Sequence, residues 1–134
     1  MKKSIAAVIK NEYGEVLLQN HIKVDAYTLP GGKVDENELE KVALIREIFE
    51  ELGILVYRYN EILTHDFKNI EYPAHSKNYK DFHQVYYEID KYEGDIFNKE
   101  PEKHSSLLWI RPDRIRGLGK ISKVLDIYLK SLNL

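Results

Sequence analysis

Four glutamates carry the strongest chemical signal in this sequence: Glu40, Glu47, Glu50 and Glu51, separated by steps close to one helical turn. With Leu39 set at 0°, Glu50, Glu47, Glu40 and Glu51 fall at about 20°, 80°, 100° and 120° around a helix. They share one sector, bordered by Arg46, while residues such as Leu39, Val42, Leu44, Ile48, Phe49 and Leu52 fill most of the remaining circumference. An ordinary surface helix has one apolar stripe and a broad polar face. This pattern instead predicts a helix packed over most of its surface, with a narrow acidic strip left open. Like charges at these spacings repel by about 0.2–0.5 kcal/mol per pair. A hard divalent cation offsets that repulsion, and Mg²⁺ both takes carboxylate oxygens and bridges them to substrate phosphates. The competing reading is a solvated acidic face.

The flanks are expected to fix this helix in place. Asn37 is suited to cap it, with Glu40 three residues on as the partner of a capping box, giving a helix over Glu38–Leu52. Glu38 in the first turn is either a charge favoured by the helix dipole or a catalytic group. Gly53 reads as the left-handed residue that ends the helix. Upstream, Leu29-Pro30-Gly31-Gly32-Lys33 reads as a tight turn whose glycines let backbone amides or carbonyls face an ion or a phosphate. A plain turn is the alternative, and Lys33 is either a phosphate contact or an exposed lysine.

The skeleton Gly32, five residues, Glu38, seven residues, Arg46-Glu47-Ile48, one residue, Glu50-Glu51, one residue, Gly53-Ile54 resembles the complete box of the Nudix hydrolase family. The resemblance implies hydrolysis of a phosphoanhydride bond in a nucleoside di- or triphosphate linked to another moiety, with Mg²⁺ as cofactor and Mn²⁺ as its substitute. It implies Glu47, Glu50 and Glu51 as metal ligands, joined by a carbonyl of Gly31 or Gly32. Arg46 is implied to orient a neighbouring glutamate, and Glu47 is the first candidate base. In some members the base or a further ligand comes from a loop before the last strand. That loop here is Glu100-Pro101-Glu102-Lys103-His104, which makes Glu102 and Glu100 candidates against the reading of an ordinary charged loop. Tyr72 sits near the place of a tyrosine associated in the family with dinucleoside polyphosphates, whereas Pro73 falls late for the proline associated with ADP-ribose.

Composition narrows the classes. At 134 residues, the expectation is a single domain spanning 1–134. The absence of cysteine excludes disulfides, thiolate metal sites and cysteine nucleophiles. A net charge of −2 gives no global attraction to nucleic acid or anionic membrane, so the expected partner is a small nucleotide diphosphate-type molecule. The apolar run after Lys2-Lys3 is too short for a signal segment, so the expected protein is cytoplasmic, a monomer or homodimer. The five histidines lack zinc-site spacing and read as structural or surface residues. Tyr27, Tyr72, Tyr79 and Phe82 read either as base-stacking groups or as core.

Strands are expected at Ser4–Ile9, Val16–Gln19, Tyr27–Leu29, Ile54–Leu63, Phe82–Ile89 and Leu107–Ile110, with a loop over His65–Lys80 and a turn over Lys91–Gly94. Arg111-Pro112-Asp113 opens a turn or short helix. The apolar spacing Ile121, Val124, Leu125, Tyr128, Leu129 and Leu132 predicts a packed amphipathic helix. Strands flanking two helices give an α/β fold, an α/β/α sandwich on a mixed β-sheet, in agreement with the Nudix fold. A nucleotide-binding sensor that does not hydrolyse is the alternative function; an interaction protein with a merely solvated acidic strip is the third.

Overall fold

The computed structural model describes residues 2–68 and 81–134. The β-branched N-terminus forms β1 (Lys2–Ile9), followed by β2 (Val16–His21), β3 (Ala26–Thr28), β4 (Gly31–Lys33), α1 (Glu40–Leu52), β5 (Leu55–Phe67), β6 (Phe82–Glu93), β7 (His104–Ile110) and α2 (Lys123–Ser131). A 3-10 helix at Pro112–Leu118 precedes α2, as the Arg-Pro-Asp start predicts.

The strands form two sheets where the sequence suggested one. The first has the order β4-β1-β6-β5, mixed because β1 runs parallel to β6 while the other pairs are antiparallel. The second, β3-β2-β7, is antiparallel. Successive strand residues point to opposite faces, and β1 divides accordingly. Ile5, Ala7 and Ile9 pack with Ala43, Leu44, Ile48 and Leu52 of α1. Ala6 and Val8 pack with Leu125, Tyr128 and Leu129 of α2. The helices therefore cover opposite faces, giving the α/β/α layering. β6 alternates in the same way, with Val85, Tyr87 and Ile89 toward α1 and Tyr86 toward α2.

Several boundaries differ from expectation. Gly31-Gly32-Lys33 is an edge strand paired with Ser4–Ala6 rather than a turn. β5 continues to Phe67, and β6 runs to Glu93 opposite Leu55, so the turn starts at Gly94, whose φ is 101°. Asn37 has a φ of 66°, a left-handed turn conformation incompatible with an N-cap. Helix α1 starts later, with Leu39 as N-cap and no side-chain cap. Gly53 does end the helix with φ 74°, and a Cβ there would overlap the Phe97 ring. The helix is also less enclosed than its sequence suggests. Leu39, Val42 and Phe49 are about half exposed, while Glu51 is buried.

The polar ends of α1 and α2 are tied to neighbouring segments. The amides of Phe97 and Lys99 donate to the carbonyls of Leu52 and Glu51, groups that a helix C-terminus leaves open. This pins the segment before β7 beside the acidic strip. Ser122 caps α2 by accepting from the Leu125 amide at 3.1 Å, and its own amide donates to Tyr27. The start of α2 therefore docks on β3. No described helix is long and apolar enough to cross a membrane.

Candidate active site

A cavity of about 540 Å³ opens between the two sheets beneath α1. Glu47, Glu51 and Glu100 line its acidic side, with the backbone of Gly31 and Gly32. Glu51 is only 4% exposed. Burial, followed by the nearby Glu47 charge, pushes its carboxyl up to about 8. The Gly31 amide donates to Glu51 Oε2 at 3.2 Å and opposes that rise. Gln19 also opposes it from β2, although Gln19 Nε2 makes no hydrogen bond of good geometry among the described residues. Burial raises Glu47 as well, against the pull of Arg46.

Arg46 organises the outer half of the strip. Its Nε and Nη2 donate to both oxygens of Glu38 at 2.8 and 2.9 Å, its Nη1 donates to Glu47 Oε1 at 3.0 Å, and its Nη2 also reaches the Lys33 carbonyl at 3.1 Å. The guanidinium holds Glu38 down at about 2. Glu38 is therefore an ionised anchor for Arg46, reaching forward from the turn before the helix. Its Oε1 also accepts from the Asp35 amide at 2.9 Å.

The glycines are needed for close approach. A Cβ on Gly32 would overlap the Glu47 carboxylate, and one on Gly31 would run into the Ile5 carbonyl. Register also separates the two carbonyls. Gly32 pairs with Ile5 of β1, and its carbonyl accepts from Ser4 Oγ at 2.9 Å. Gly31 points its amide away from β1 to Glu51, and its carbonyl lies on that same outward side of the edge strand. Of the two glycines, Gly31 presents the available backbone oxygen.

The expected residues divide clearly. Glu47, Glu51, Gly31, Gly32 and Lys33 meet at the cavity. Glu50 does not line it; its side chain stays 49% exposed and lies 3.5 Å from Arg46 Nη1. Glu40 leaves the strip to pair with Lys3 at 2.7 Å. Glu102 is exposed and outside the lining, whereas Glu100 faces the cavity, its amide held by Asn98 Oδ1 and its carboxylate 3.0 Å from Lys103 Nζ. Tyr72, Pro73 and Tyr79 lie outside the described residues. Phe82 lines the cavity and Tyr27 packs against the second core.

Sequence reasoning missed His21 and His104, which line the opposite wall as an edge-to-face pair 5.4 Å apart. Burial and His21 hold the His104 imidazole below its usual range, hence neutral. Their pairing across β2 and β7 had no motif in the sequence, where the expected strands stopped at Gln19 and began at Leu107.

Two desolvated carboxylates side by side, with Arg46 compensating only Glu47, form a donor set that suits a divalent cation together with the outward Gly31 oxygen. Among the described residues no three acidic or imidazole groups form a preformed cage. The site presents a carboxylate pair, a backbone oxygen and Glu100 on the facing loop.

The α/β/α sandwich that sets Glu51, buried, beside Glu47 beneath a Gly–Gly edge strand belongs to a known family. The NUDIX domain model matches residues 1–129, and the chain belongs to that family, whose members generally use divalent metal ions. It is similar to the 8-oxo-dGTP diphosphatase of Haemophilus influenzae, 30% identical over 102 residues, which cover 73% of this chain and 69% of that protein. An RNA pyrophosphohydrolase of Ruthia magnifica is 40% identical over 53 residues, covering 40% of this chain and 30% of that protein. Among solved structures, the MutT NUDIX hydrolase of Burkholderia pseudomallei superposes with a TM-score of 0.80 at 26% identity, over 96% of this chain and 95% of that one.

Proposed function

We propose that this protein is a Mg²⁺-dependent hydrolase of nucleoside di- or triphosphate derivatives, with Mn²⁺ able to substitute. The observation that carries the reading is Glu51: a carboxylate buried against a second carboxylate at the mouth of a cavity large enough for a nucleotide. Burial and the Glu47 charge both disfavour the ionised form of Glu51, a cost that a bound cation would offset. The names of the similar proteins, an 8-oxo-dGTP diphosphatase and an RNA pyrophosphohydrolase, point to the same bond type.

Glu47, Glu51 and the Gly31 carbonyl would hold the cation, which when bound neutralises diphosphate charge and makes a nearby water more acidic. Arg46, anchored by Glu38, fixes the Glu47 carboxylate, and the Gly31 amide fixes Glu51. Lys33 and Lys103 supply positive charge to the phosphates from the two sides of the mouth. Glu100 takes the proton of the attacking water, since Glu47 and Glu51 are committed to the cation. Water adds to a phosphorus of the diphosphate, the bridging P–O bond breaks, and the leaving phosphate departs with its electron pair. The protein is proposed to act in the cytoplasm as one domain.

The experiment is phosphate and pyrophosphate release with Mg²⁺ across canonical and oxidised dNTPs, ADP-ribose, dinucleoside polyphosphates and nucleotide sugars. Turnover of one class is expected. Nucleotide binding without turnover of any would instead establish a sensor.

A further inference from the structure

The cavity has a second polar end that phosphate chemistry leaves unexplained. Beyond the acidic mouth it reaches Phe82 and Gln84 on β6, with Ser122 and Val124 at the start of α2. Gln84 is 1% exposed. Buried amides of this kind normally have all their polar atoms paired. Gln84 Nε2 donates over a long 3.4 Å to the Val85 carbonyl, a group that can only accept. That contact assigns the amide nitrogen to the Val85 side and Oε1 to the other. Oε1 then remains as an acceptor with no hydrogen-bond partner among the described residues.

The surrounding hydroxyls are already engaged. Ser122 Oγ donates to Thr28 Oγ1 at 2.8 Å, Ser4 Oγ to the Gly32 carbonyl, and the Tyr86 hydroxyl to the Val124 carbonyl at 2.6 Å. At this end of the cavity, among the described residues, Gln84 Oε1 is a buried acceptor with no hydrogen-bond partner. Phe82 supplies an aromatic wall two residues away.

We infer that Gln84 is a specificity-determining residue: its Oε1 accepts a hydrogen bond from an N–H group on the edge of a nucleobase held between the sheets. This rests on the nucleotide reading above and deepens it by naming the chemistry that selects the base. An acceptor presented from a dry wall favours bases that offer a donor there and rejects those that leave it unpaired.

The test uses the full chain with Mg²⁺ and nucleotide pairs in which one member lacks a base N–H group that the other carries. These are ATP against purine riboside triphosphate, GTP against ITP, and 8-oxo-dGTP against dGTP. Both kcat/KM and the nucleotide-induced rise in Tm are read. At least one pair should separate by about 10-fold or more in favour of the donor, and Gln84→Met should compress that ratio to within about 3-fold. Gln84→Asn, which withdraws the acceptor by one methylene, is the second variant should the methionine form fail to fold, and it should compress the ratio too. Wild-type protein that separates no pair beyond about 3-fold overturns the inference without any variant, as does an unchanged ratio in either folded variant. A base preference in Tm without turnover sinks hydrolysis and keeps this inference; turnover without base preference does the reverse. No turnover and no Tm shift with any nucleotide overturns both.

Discussion

Gly32 and Glu47 fit against each other only because residue 32 has no side chain: a Cβ there would overlap the Glu47 carboxylate. Gly32 is not among the positive-φ residues, so alanine is conformationally acceptable and the clash alone is at issue. Gly32→Ala should therefore leave the fold intact while displacing Glu47. Misplacing a catalytic group by about 1 Å costs on the order of 10²-fold, so kcat should fall by about that factor. Circular dichroism and steady-state rates check this; an unaltered rate would detach Glu47 from the mechanism.

Glu51 sets a pH dependence of stability in metal-free protein. The folded chain holds its proton up to about pH 8, whereas the ordinary value is 4.5. The folded state thus binds the proton more tightly, and stability falls as pH rises through that interval. His104, held neutral by burial, acts in the opposite sense only below its ordinary 6.5. Between pH 6.5 and 8, Tm in EDTA should fall. Glu51→Gln should flatten the slope and raise Tm at pH 8 by a few degrees. A wild-type Tm that climbs through this window would mean the Glu51 carboxyl is ionised there without cost.

Arg46 is a fork rather than a point charge, gripping both oxygens of Glu38 while touching Glu47. Arg46→Lys keeps the charge and loses the fork. Groups that orient metal ligands typically contribute 10–100-fold to affinity or activity, so the Mg²⁺ concentration for half-maximal rate should rise by about 10-fold. An unchanged Mg²⁺ titration would reduce Arg46 to a surface ion pair.

Glu100 and Glu102 separate by placement. Glu100 lines the cavity and Glu102 is exposed. Glu100→Gln should lower kcat by about 10²-fold, the lower range for a general base, while Glu102→Gln stays near wild type. The reverse ranking in a side-by-side rate measurement would return the role to Glu102.

Much of this arrangement was legible in the sequence because it is local. The spacing of Glu47 and Glu51 along one helix, Gly53 as its end and the alternation of Val85, Tyr87 and Ile89 follow from backbone periodicity. What stayed hidden depends on contacts distant in sequence. Gly31-Gly32-Lys33 has poor strand propensity and becomes β4 only through pairing with Ser4–Ala6. Glu40 lies in the acidic sector of the helical wheel, but Lys3 draws it away. Asn37 looks like a cap until its left-handed backbone is seen. Glu100 reaches the cavity because Phe97 and Lys99 bond the end of α1. His21 and His104 meet only across two strands.

The central claim is that the Glu47–Glu51 pair, with Glu51 buried, works through a divalent cation on a nucleotide diphosphate. Its most direct test is the Mg²⁺ dependence of turnover on the preferred nucleotide, in wild type and Glu51→Gln. The account predicts no turnover in EDTA, saturable activation by Mg²⁺, and a loss of about 10²-fold or more in the variant at every Mg²⁺ concentration. Turnover indifferent to EDTA, or a Glu51→Gln protein as active as wild type, would contradict it.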